Sequence, residues 1–484
     1  MNKKIYGLVF SFMIYAASSA QTGDSLLLSR IDSIAPERAL NTHGDLLHDD
    51  TAYNKKAPLW LTGLRGLSVN VFNWALNRYY FDVEWTSSGW KDWKYNFRKG
   101  PEWDKDGFGT NFIGHPHTGS YYYNVARSNG YSYWQSVPFT AASSLVWEYL
   151  GENERPSYND LIMTTAAGTN LGEVFYRVTS NILDDRSRGA GRIWREAVTF
   201  FINPTRSINR ATSGKMFRVT DREVYQKAPM SLVLSTGAHR ANISGEGGNM
   251  FGTGKTYAIA NLRMDYGDLF EPVKKKPFDF FRFRLEMRTG VGQKKISIVE
   301  SYGLLTGKAI RKDRLYGGLF QHFDYWRNNQ FEVGAAGYGA GLVANTEIGE
   351  VSKLHSVYHV AAVPLAGYPV VPNFDTNPFR GHNLSGGLQA KVEQHFDFLG
   401  RANIGFTSYF YWLHVYAGVP ASSFVRILKP FVGVNITRNI RLGFEQQFFY
   451  DNRKLRTGSS YRNATTEQRL YLQFLFRDDL WRMR

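Results

Sequence analysis

The feature that most constrains this chain is a strict alternation of apolar and charged residues in its second half, clearest in FRFRLEMR at residues 281–288. Successive side chains of a β-strand point to opposite sides, so this segment predicts a strand with one apolar and one charged face. A soluble sandwich would bury the apolar face, whereas a membrane barrel turns it to lipid and keeps the charges in a polar lumen. The apolar face carries Phe281, Phe283, Leu285 and Met287, and the charged face carries Arg282, Arg284, Glu286 and Arg288.

The same alternation recurs through residues 228–476, in about twelve segments spaced by about twenty residues, the reach of a membrane-spanning strand and its turn. The last segment alternates up to Phe476 and is similar to the C-terminal strand by which the outer-membrane insertion machinery recognises barrel proteins. Residues 477–484 are predicted to form a periplasmic tail. We therefore predict an α+β protein in which an N-terminal helical unit precedes an antiparallel transmembrane β-barrel.

Charges on the predicted strands are expected to point into the lumen, because each would cost about 2–4 kcal/mol against lipid at the bilayer midplane. Inside a narrow barrel they would largely pair, which favours a partly plugged lumen with a preference for anions. The alternative, which we weigh equally, is that the ion pairs only hold the strands in register. The residues assigned to the lumen are Arg263, Arg282, Arg284, Glu286, Arg288, Lys391, Glu393, Arg441 and Glu445.

The N-terminal end indicates export. Lys3 and Lys4 precede an apolar stretch, and small residues at 18–20 offer a cleavage site, so residues 1–20 are predicted to be a signal peptide. Residues 21–58 are polar and poorly patterned, and we interpret them as a flexible lead. The chain has no cysteine, which excludes disulfides and thiolate metal sites. The chain has a formal charge of +16, and we expect anionic lipid or lipopolysaccharide, rather than nucleic acid, to provide the counter-charge.

Residues 59–215 are predicted to form a helical domain, because apolar residues recur there at helical spacing. Narrow polar stripes run along these otherwise apolar helices, and such side chains are costly to bury unless they are hydrogen-bonded. The stripes are therefore expected to face one another, either as a packing core or as the lining of a site. The predicted polar network contains Asn124, Arg127, Asp160, Asn170, Glu173 and Arg177.

The segment NFIGHPHTGSYYYNVARSNG at residues 111–130 carries the best candidates for chemistry. Its two histidines would bind a metal if a third ligand came from elsewhere, or would act as a general base beside the serine that follows them. The interpretation we favour is structural: a rigid entry to a helix, with Arg127 and Glu148 closing a buried network. We therefore expect no metal and no cofactor. The candidate catalytic residues are His115, His117, Ser120 and Glu148.

With the strings GHPHTGSYYYNVARSNGYS, SSLVWEYLGENERPSYNDL and TNLGEVFYRV, the chain resembles an exported bacterial family known as domain of unknown function 3943. The resemblance covers roughly residues 70–180. It implies an envelope location and a helical unit joined to a β-rich half, and it assigns no catalytic role to any residue. The residues that carry it are His115-Pro116, Gly119, Tyr123, Arg127, Glu148, Pro156-Ser157, Asp160 and Gly172-Glu173.

Two functions of different classes fit these features. The favoured one is a non-enzymatic outer-membrane barrel of a Gram-negative cell that binds or passes a small or lipidic ligand. Its helical unit would act as plug or adaptor, either periplasmic or in the barrel mouth. The alternative is an outer-membrane enzyme that modifies lipid or lipopolysaccharide through the four candidate catalytic residues. The expected partners are outer-membrane lipids or lipopolysaccharide, together with the barrel insertion machinery.

Overall fold

The computed structural model describes residue 40 and residues 46–242, 253–290, 295–328, 331–349, 352–369 and 381–476. The predicted signal peptide, most of the flexible lead and the predicted tail lie outside these residues. The described chain consists of an N-terminal helical part followed by a barrel.

Twelve antiparallel strands close into the barrel, which confirms the predicted fold class. Each strand pairs with its neighbours in the chain, and closure comes from the first strand pairing with the last, where Leu232 lies opposite Phe476. The strands are β1 (Met230–Ala241), β2 (Thr256–Tyr266), β3 (Phe281–Arg288), β4 (Ile296–Arg311), β5 (Leu315–Arg327), β6 (Glu332–Ile348), β7 (Ser352–Pro369), β8 (His382–Phe398), β9 (Ala402–Ala417), β10 (Ala421–Asn435), β11 (Ile440–Leu455) and β12 (Ser460–Phe476).

Side chains fill the lumen at one end of the barrel. We call the end where β1 begins and β12 finishes the terminal end, and the opposite end the distal end. In the distal half, buried ion pairs of Glu286, Arg288, Glu467 and Arg469 lie beside an apolar group that we call the distal cluster. The distal cluster consists of Ile298, Trp326, Phe331, Val333, Ala335, Val363, Ala366, Tyr368, Tyr409, Tyr411, Leu413, Val425, Ile427 and Phe449.

Seven α-helices precede the barrel in the described chain. Two single π-helical turns accompany them, Thr110–Gly114 before the third helix and Trp147–Gly151 after the fourth. The helices are α1 (Leu59–Tyr79), α2 (Trp90–Lys99), α3 (His115–Arg127), α4 (Tyr133–Val146), α5 (Tyr158–Ile182), α6 (Gly189–Ile202) and α7 (Pro204–Thr212).

Sequence signals explain where two of these helices begin. Pro116 lies in the first turn of α3, where a backbone donor is not needed. Ser157 is the N-cap of α5, because its hydroxyl oxygen accepts a hydrogen bond from the backbone N–H of Asp160 at 3.2 Å. These two starts fix the orientation of the helices that carry the family-like motif.

The helical part packs against the outer wall of the barrel. Phe281 and Phe283, on the apolar face of β3, share one buried cluster with Met163 of α5. The Tyr133 hydroxyl donates a hydrogen bond to Gln321 Oε1 on β5 at 2.6 Å. The helices thus cover apolar wall that was expected to meet lipid.

Helix α1 has its polar and apolar sides reversed relative to a helix of a soluble protein. Its buried positions are Thr62, Gly66 and Asn70, whereas Trp60 is 69% exposed. Among the described residues, no helix has a stretch both long and apolar enough to cross a membrane. The large apolar side chains exposed on α1 and just after it are Leu59, Trp60, Leu64, Leu67, Val71, Phe72, Tyr79, Tyr80 and Phe81.

Candidate functional sites: a histidine–carboxylate cluster and a charged lumen cavity

His115, Glu148 and Asp160 meet at the distal end of the helical part, and we call them the His115 cluster. One potential ligand atom from each residue lies within 4.8 Å of the other two. His115 Nε2 is 3.2 Å from Asp160 Oδ1, and its Nδ1 is 3.4 Å from the Thr164 hydroxyl. The structure thus joins residues that the sequence had assigned to two different groups.

Local helix geometry brings the His115 cluster together. His115 opens α3 directly after one π-helical turn, and Glu148 lies inside the other. Such turns are frequent at functional sites, because the extra residue re-aims the side chains around it. Asp160 sits in the first turn of α5, and the backbone N–H of the N-cap residue Ser157 donates to Glu148 Oε2 at 2.9 Å.

Acidic groups accumulate in the His115 cluster. Glu148 and Asp160 are 2% and 4% exposed, and Glu148 Oε1 has no hydrogen-bond partner within the described structure. Burial, reinforced by neighbouring carboxylates, raises the pKa of both acids well above their usual values. Burial also lowers the pKa of His115 to about 4. His115 Nε2 nevertheless stays within ion-pair distance of Asp160, and burial favours the neutral forms of the imidazole and of both acids.

Sequence reasoning missed two acidic residues that surround this cluster, Asp104 and Asp106, which lie there together with Glu152. Burial raises the pKa of Asp106 to about 6 and that of Glu152 to about 8. Asp104 Oδ1 accepts a hydrogen bond from Asn111 Nδ2 at 3.3 Å, and this amide is 3.4 Å from the ring of His382, the first residue of β8. The cluster therefore lies level with the distal strand ends. The spacing of Asp104 and Asp106, two apart before the histidines, was the available sequence signal.

The general-base pairing considered for Ser120 is not formed. Ser120 is buried, and its hydroxyl donates to the carbonyl oxygen of His117 at 2.6 Å, within the same helix. The His117 ring is exposed, and its Nε2 lies 3.2 Å from the Tyr121 hydroxyl. The serine hydroxyl thus makes a helix-internal bond that competes with a catalytic one.

A second polar group centres on Glu173, which is fully buried. Its carboxylate accepts hydrogen bonds from Arg127 Nε at 2.8 Å, Arg177 Nε at 2.7 Å and the Tyr123 hydroxyl at 2.6 Å. The predicted pairing of Arg127 with Glu148 is not what the structure shows. Arg127 ends α3 while Glu148 lies beside its first residue, about 18 Å away by the helical rise.

The two amides of the predicted network serve packing. Asn124 Nδ2 donates to the Gly172 carbonyl oxygen at 3.0 Å, and its Oδ1 accepts from Asn203 Nδ2 at 2.7 Å. Asn170 Nδ2 donates to the Gln321 carbonyl oxygen on β5 at 3.5 Å. Asn170 Oδ1 has no hydrogen-bond partner within the described structure. The bonds that the two amides do make specify how the helices fit one another and the barrel.

The residues assigned to the lumen lie on the charged faces of their strands and pair with one another. Arg282 on β3 pairs with Asp265 on β2 and, across the barrel, with Glu393 on β8. Most of this charge is therefore neutralised within the protein. The remaining contacts are Arg263 with Asp265, Arg284 with Glu286 and Glu300, Arg288 with Glu286 and Glu467, Lys391 with Asp324, Glu445 with Arg469, and Arg441 with the Asn435 amide oxygen.

A cavity of about 150 Å³ occupies the terminal half of the lumen. Its lining reaches the terminal strand ends, since Asn403 and Arg441 are each second in their strand. Seven Lys or Arg side chains and three Glu side chains line it, so positive charge predominates. Sequence reasoning missed Lys429, a lone charge on an apolar strand face. Its Nζ lies 4.8 Å from the Trp326 ring centroid at the floor of the cavity.

Comparisons with known proteins bear on the helical part and on the barrel separately. The model of the family described as Domain of unknown function (DUF3943) matches residues 100–205, which confirms the resemblance seen in the sequence and includes the His115 cluster. No curated protein matches the chain.

Three solved structures resemble the barrel. The NanC porin is 8% identical, covering 50% of this chain and 98% of its own, with a TM-score of 0.29. An outer membrane channel from Pseudomonas putida F1 is 8% identical over 52% of this chain and 96% of its own, with a TM-score of 0.28. An anion-selective porin from Comamonas acidovorans is 9% identical over 51% and 99%, with a TM-score of 0.24. At these values the similarity extends only to the barrel form.

Proposed function

We propose that this protein is an integral outer-membrane barrel that binds a small anionic molecule in a blind lumen pocket open at the terminal end. The observation that carries the proposal is the predominance of positive charge around a cavity whose distal side is filled by the distal cluster. Basic side chains in a narrow cleft attract phosphate or carboxylate groups, because the low-dielectric walls focus their field. A filled distal half opposes continuous passage, so the pocket binds its ligand rather than conducting it.

Exposed apolar side chains support the membrane location. Val360, Trp412 and Leu470 lie on strand faces that the helices leave uncovered, and each is at least half exposed. The outward apolar side of α1 continues this belt over the helical part. Lipid favours such a surface and water does not. In this proposal the helices clad the barrel wall as an adaptor between wall and lipid.

The connections between strands support an orientation. At the terminal end four of the five connections have three or four residues, and the fifth, between β2 and β3, has fourteen (267–280). At the distal end three connections are longer than four residues, those after β1, β3 and β7 (242–255, 289–295 and 370–381). Outer-membrane barrels keep short turns on the periplasmic side. The pocket therefore takes its ligand from the periplasm in this proposal.

Lys429 gives the sharpest test of the pocket. A Lys429→Met variant keeps the length of the side chain and removes its charge, so the affinity for an anion should fall about tenfold or more. Isothermal titration of the detergent-solubilised protein with pyrophosphate and with citrate measures this. Lys353→Met, at an exposed position of β7, is the matched control and should bind as wild type does. Wild-type protein that binds neither anion, or equal binding by both variants, contradicts the proposal.

Planar-bilayer recording tests whether the lumen is blind. Reconstituted wild-type protein should show no steady conductance, because the distal cluster fills the lumen. Trp326 and Tyr411 are both fully buried in that cluster. Replacing both with glycine should open anion-selective events. A large steady conductance from the wild-type protein, above all one with cation preference, rules out a blind pocket.

A further inference from the structure

We propose that His115, Glu148 and Asp160 bind one divalent metal ion of the Zn²⁺ type. This site is separate from the lumen pocket, and the two proposals stand or fall independently. One imidazole nitrogen and two carboxylate oxygens form a ligand set that Zn²⁺ accepts in proteins. The three ligand atoms lie within 4.8 Å of one another.

The spacing of the donors fits an ion after a small closure. Zinc bonds to nitrogen and oxygen of about 2.0–2.2 Å place neighbouring ligands of a tetrahedron about 3.3–3.5 Å apart. His115 Nε2 and Asp160 Oδ1 already lie 3.2 Å apart. The other ring nitrogen, Nδ1, lies 3.4 Å from the Thr164 hydroxyl, whose oxygen can accept a hydrogen bond from the Nδ1–H and so fix the ring.

Glu148 supplies an observation independent of this spacing. The residue is 2% exposed, and its Oε1 has no hydrogen-bond partner within the described structure. Buried carboxylate oxygens are normally paired, because an unsatisfied buried acceptor has lost its water without gaining a partner. Its second oxygen, Oε2, is held in place by the backbone N–H of Ser157. The carboxylate is therefore positioned, with one oxygen available to a ligand.

The location indicates what such an ion would do. His115 lies on α3, Glu148 in the π-helical turn after α4 and Asp160 on α5, so one ion would cross-link three elements of the helical part. Binding of the ion would also release protons from these two buried acids, because the ligating form of a carboxyl group is the deprotonated one. Metal binding should therefore stabilise the folded protein against unfolding.

The test uses the full-length protein in detergent, depleted of metal with a chelator and then titrated with Zn²⁺ alone. Wild-type protein should bind one zinc per chain by elemental analysis, and its Tm should rise by about 3 °C or more. Glu148→Gln should lose both effects. In chelator its Tm should equal or exceed that of wild type, because the substitution replaces a buried acid among other acids by a neutral amide of the same shape. Glu154→Gln, an exposed acid six residues on, is the control and should behave as wild type.

Two outcomes would overturn the proposal: equal zinc content in wild type and Glu148→Gln, or a wild-type Tm that zinc does not change. His117→Ala must leave the stoichiometry unchanged, since His117 is exposed and could bind zinc adventitiously. Should Glu148→Gln fail to fold, X-ray absorption spectroscopy of the zinc-loaded wild-type protein identifies the zinc ligands instead. One imidazole with oxygen ligands supports the site, and two or more imidazoles contradict it.

Discussion

At the scale of single residues, Glu173 is the side chain on which the helical part most depends. Its fully buried carboxylate bonds to two guanidinium groups and to a tyrosine hydroxyl. Glu173→Gln leaves Arg127 and Arg177 buried without their counter-charge, so the free energy of unfolding should fall by about 3–5 kcal/mol. Denaturant unfolding in detergent measures the change. The control Glu154→Gln should have a free energy of unfolding within about 0.5 kcal/mol of the wild-type value. If Glu173→Gln is as stable as this control, Glu173 does not hold the helical part together.

Glu148 shows where sequence reasoning reaches its limit at this scale. Its place on an otherwise apolar helix predicted burial, and the structure buries it. A sequence does not reveal which charged group lies opposite a buried carboxylate, and Arg127 was the wrong choice. The structure surrounds Glu148 with other acids instead. Without a bound cation, its removal should therefore relieve repulsion rather than break an ion pair.

At the scale of elements, the crossing of α3 and α5 depends on two glycines. A Cβ added at Gly168 would lie 2.6 Å from the Gly119 Cα, and one at Gly119 would lie 2.0 Å from the Thr164 carbonyl oxygen. Gly168→Ala should therefore lower stability by about 1–3 kcal/mol through overpacking. Gly63→Ala is the control, because nothing lies within 4 Å of its added Cβ. Thermal unfolding followed by circular dichroism should show a lower Tm only for Gly168→Ala.

Periodicity in the sequence predicts the helices and the strands, but it does not predict that the helices pack on the outer wall of the barrel. Gly168 and Gly172 lie four residues apart on α5, a spacing that permits a close helix contact. The apolar face of β3 was interpreted as lipid-facing, yet Phe281 and Phe283 pack under the helices. A strand face suited to lipid is equally suited to an apolar helix, so alternation alone cannot distinguish the two neighbours.

At the scale of the whole molecule, the absence of cysteine allows the lipid-facing surface to be mapped with single labels. A spin label at Phe72→Cys, on the exposed apolar side of α1, should be relaxed by oxygen dissolved in lipid. A label at Lys55→Cys, exposed before α1, should respond to a water-soluble nickel chelate. Electron paramagnetic resonance in reconstituted vesicles compares the two positions. Greater nickel accessibility at position 72 is incompatible with helices that clad the barrel in lipid.

The barrel could be predicted as a whole because each of its strands carries the same local pattern. The His115 cluster and the lumen cavity could not be predicted in this way, because each is built from residues that are far apart in the sequence. Arg282 meets Glu393 across the lumen, and Glu148 meets His115 from another helix. Lys429 was missed because one lysine on an apolar strand face resembles an exception to the pattern. Only the closed barrel shows that it lies on the floor of a cavity.

The seam between β1 and β12 closes the barrel. It runs from Leu232 opposite Phe476 to Ala241 opposite Glu467, and it joins the two strands of the barrel that are farthest apart in sequence. Contacts of such long range form late and slowly, because the loop between them must close first. Since every strand is held by two ladders, unravelling must begin by breaking a complete one. Persistence in the membrane is therefore a matter of kinetics, governed by how rarely a ladder such as this seam opens.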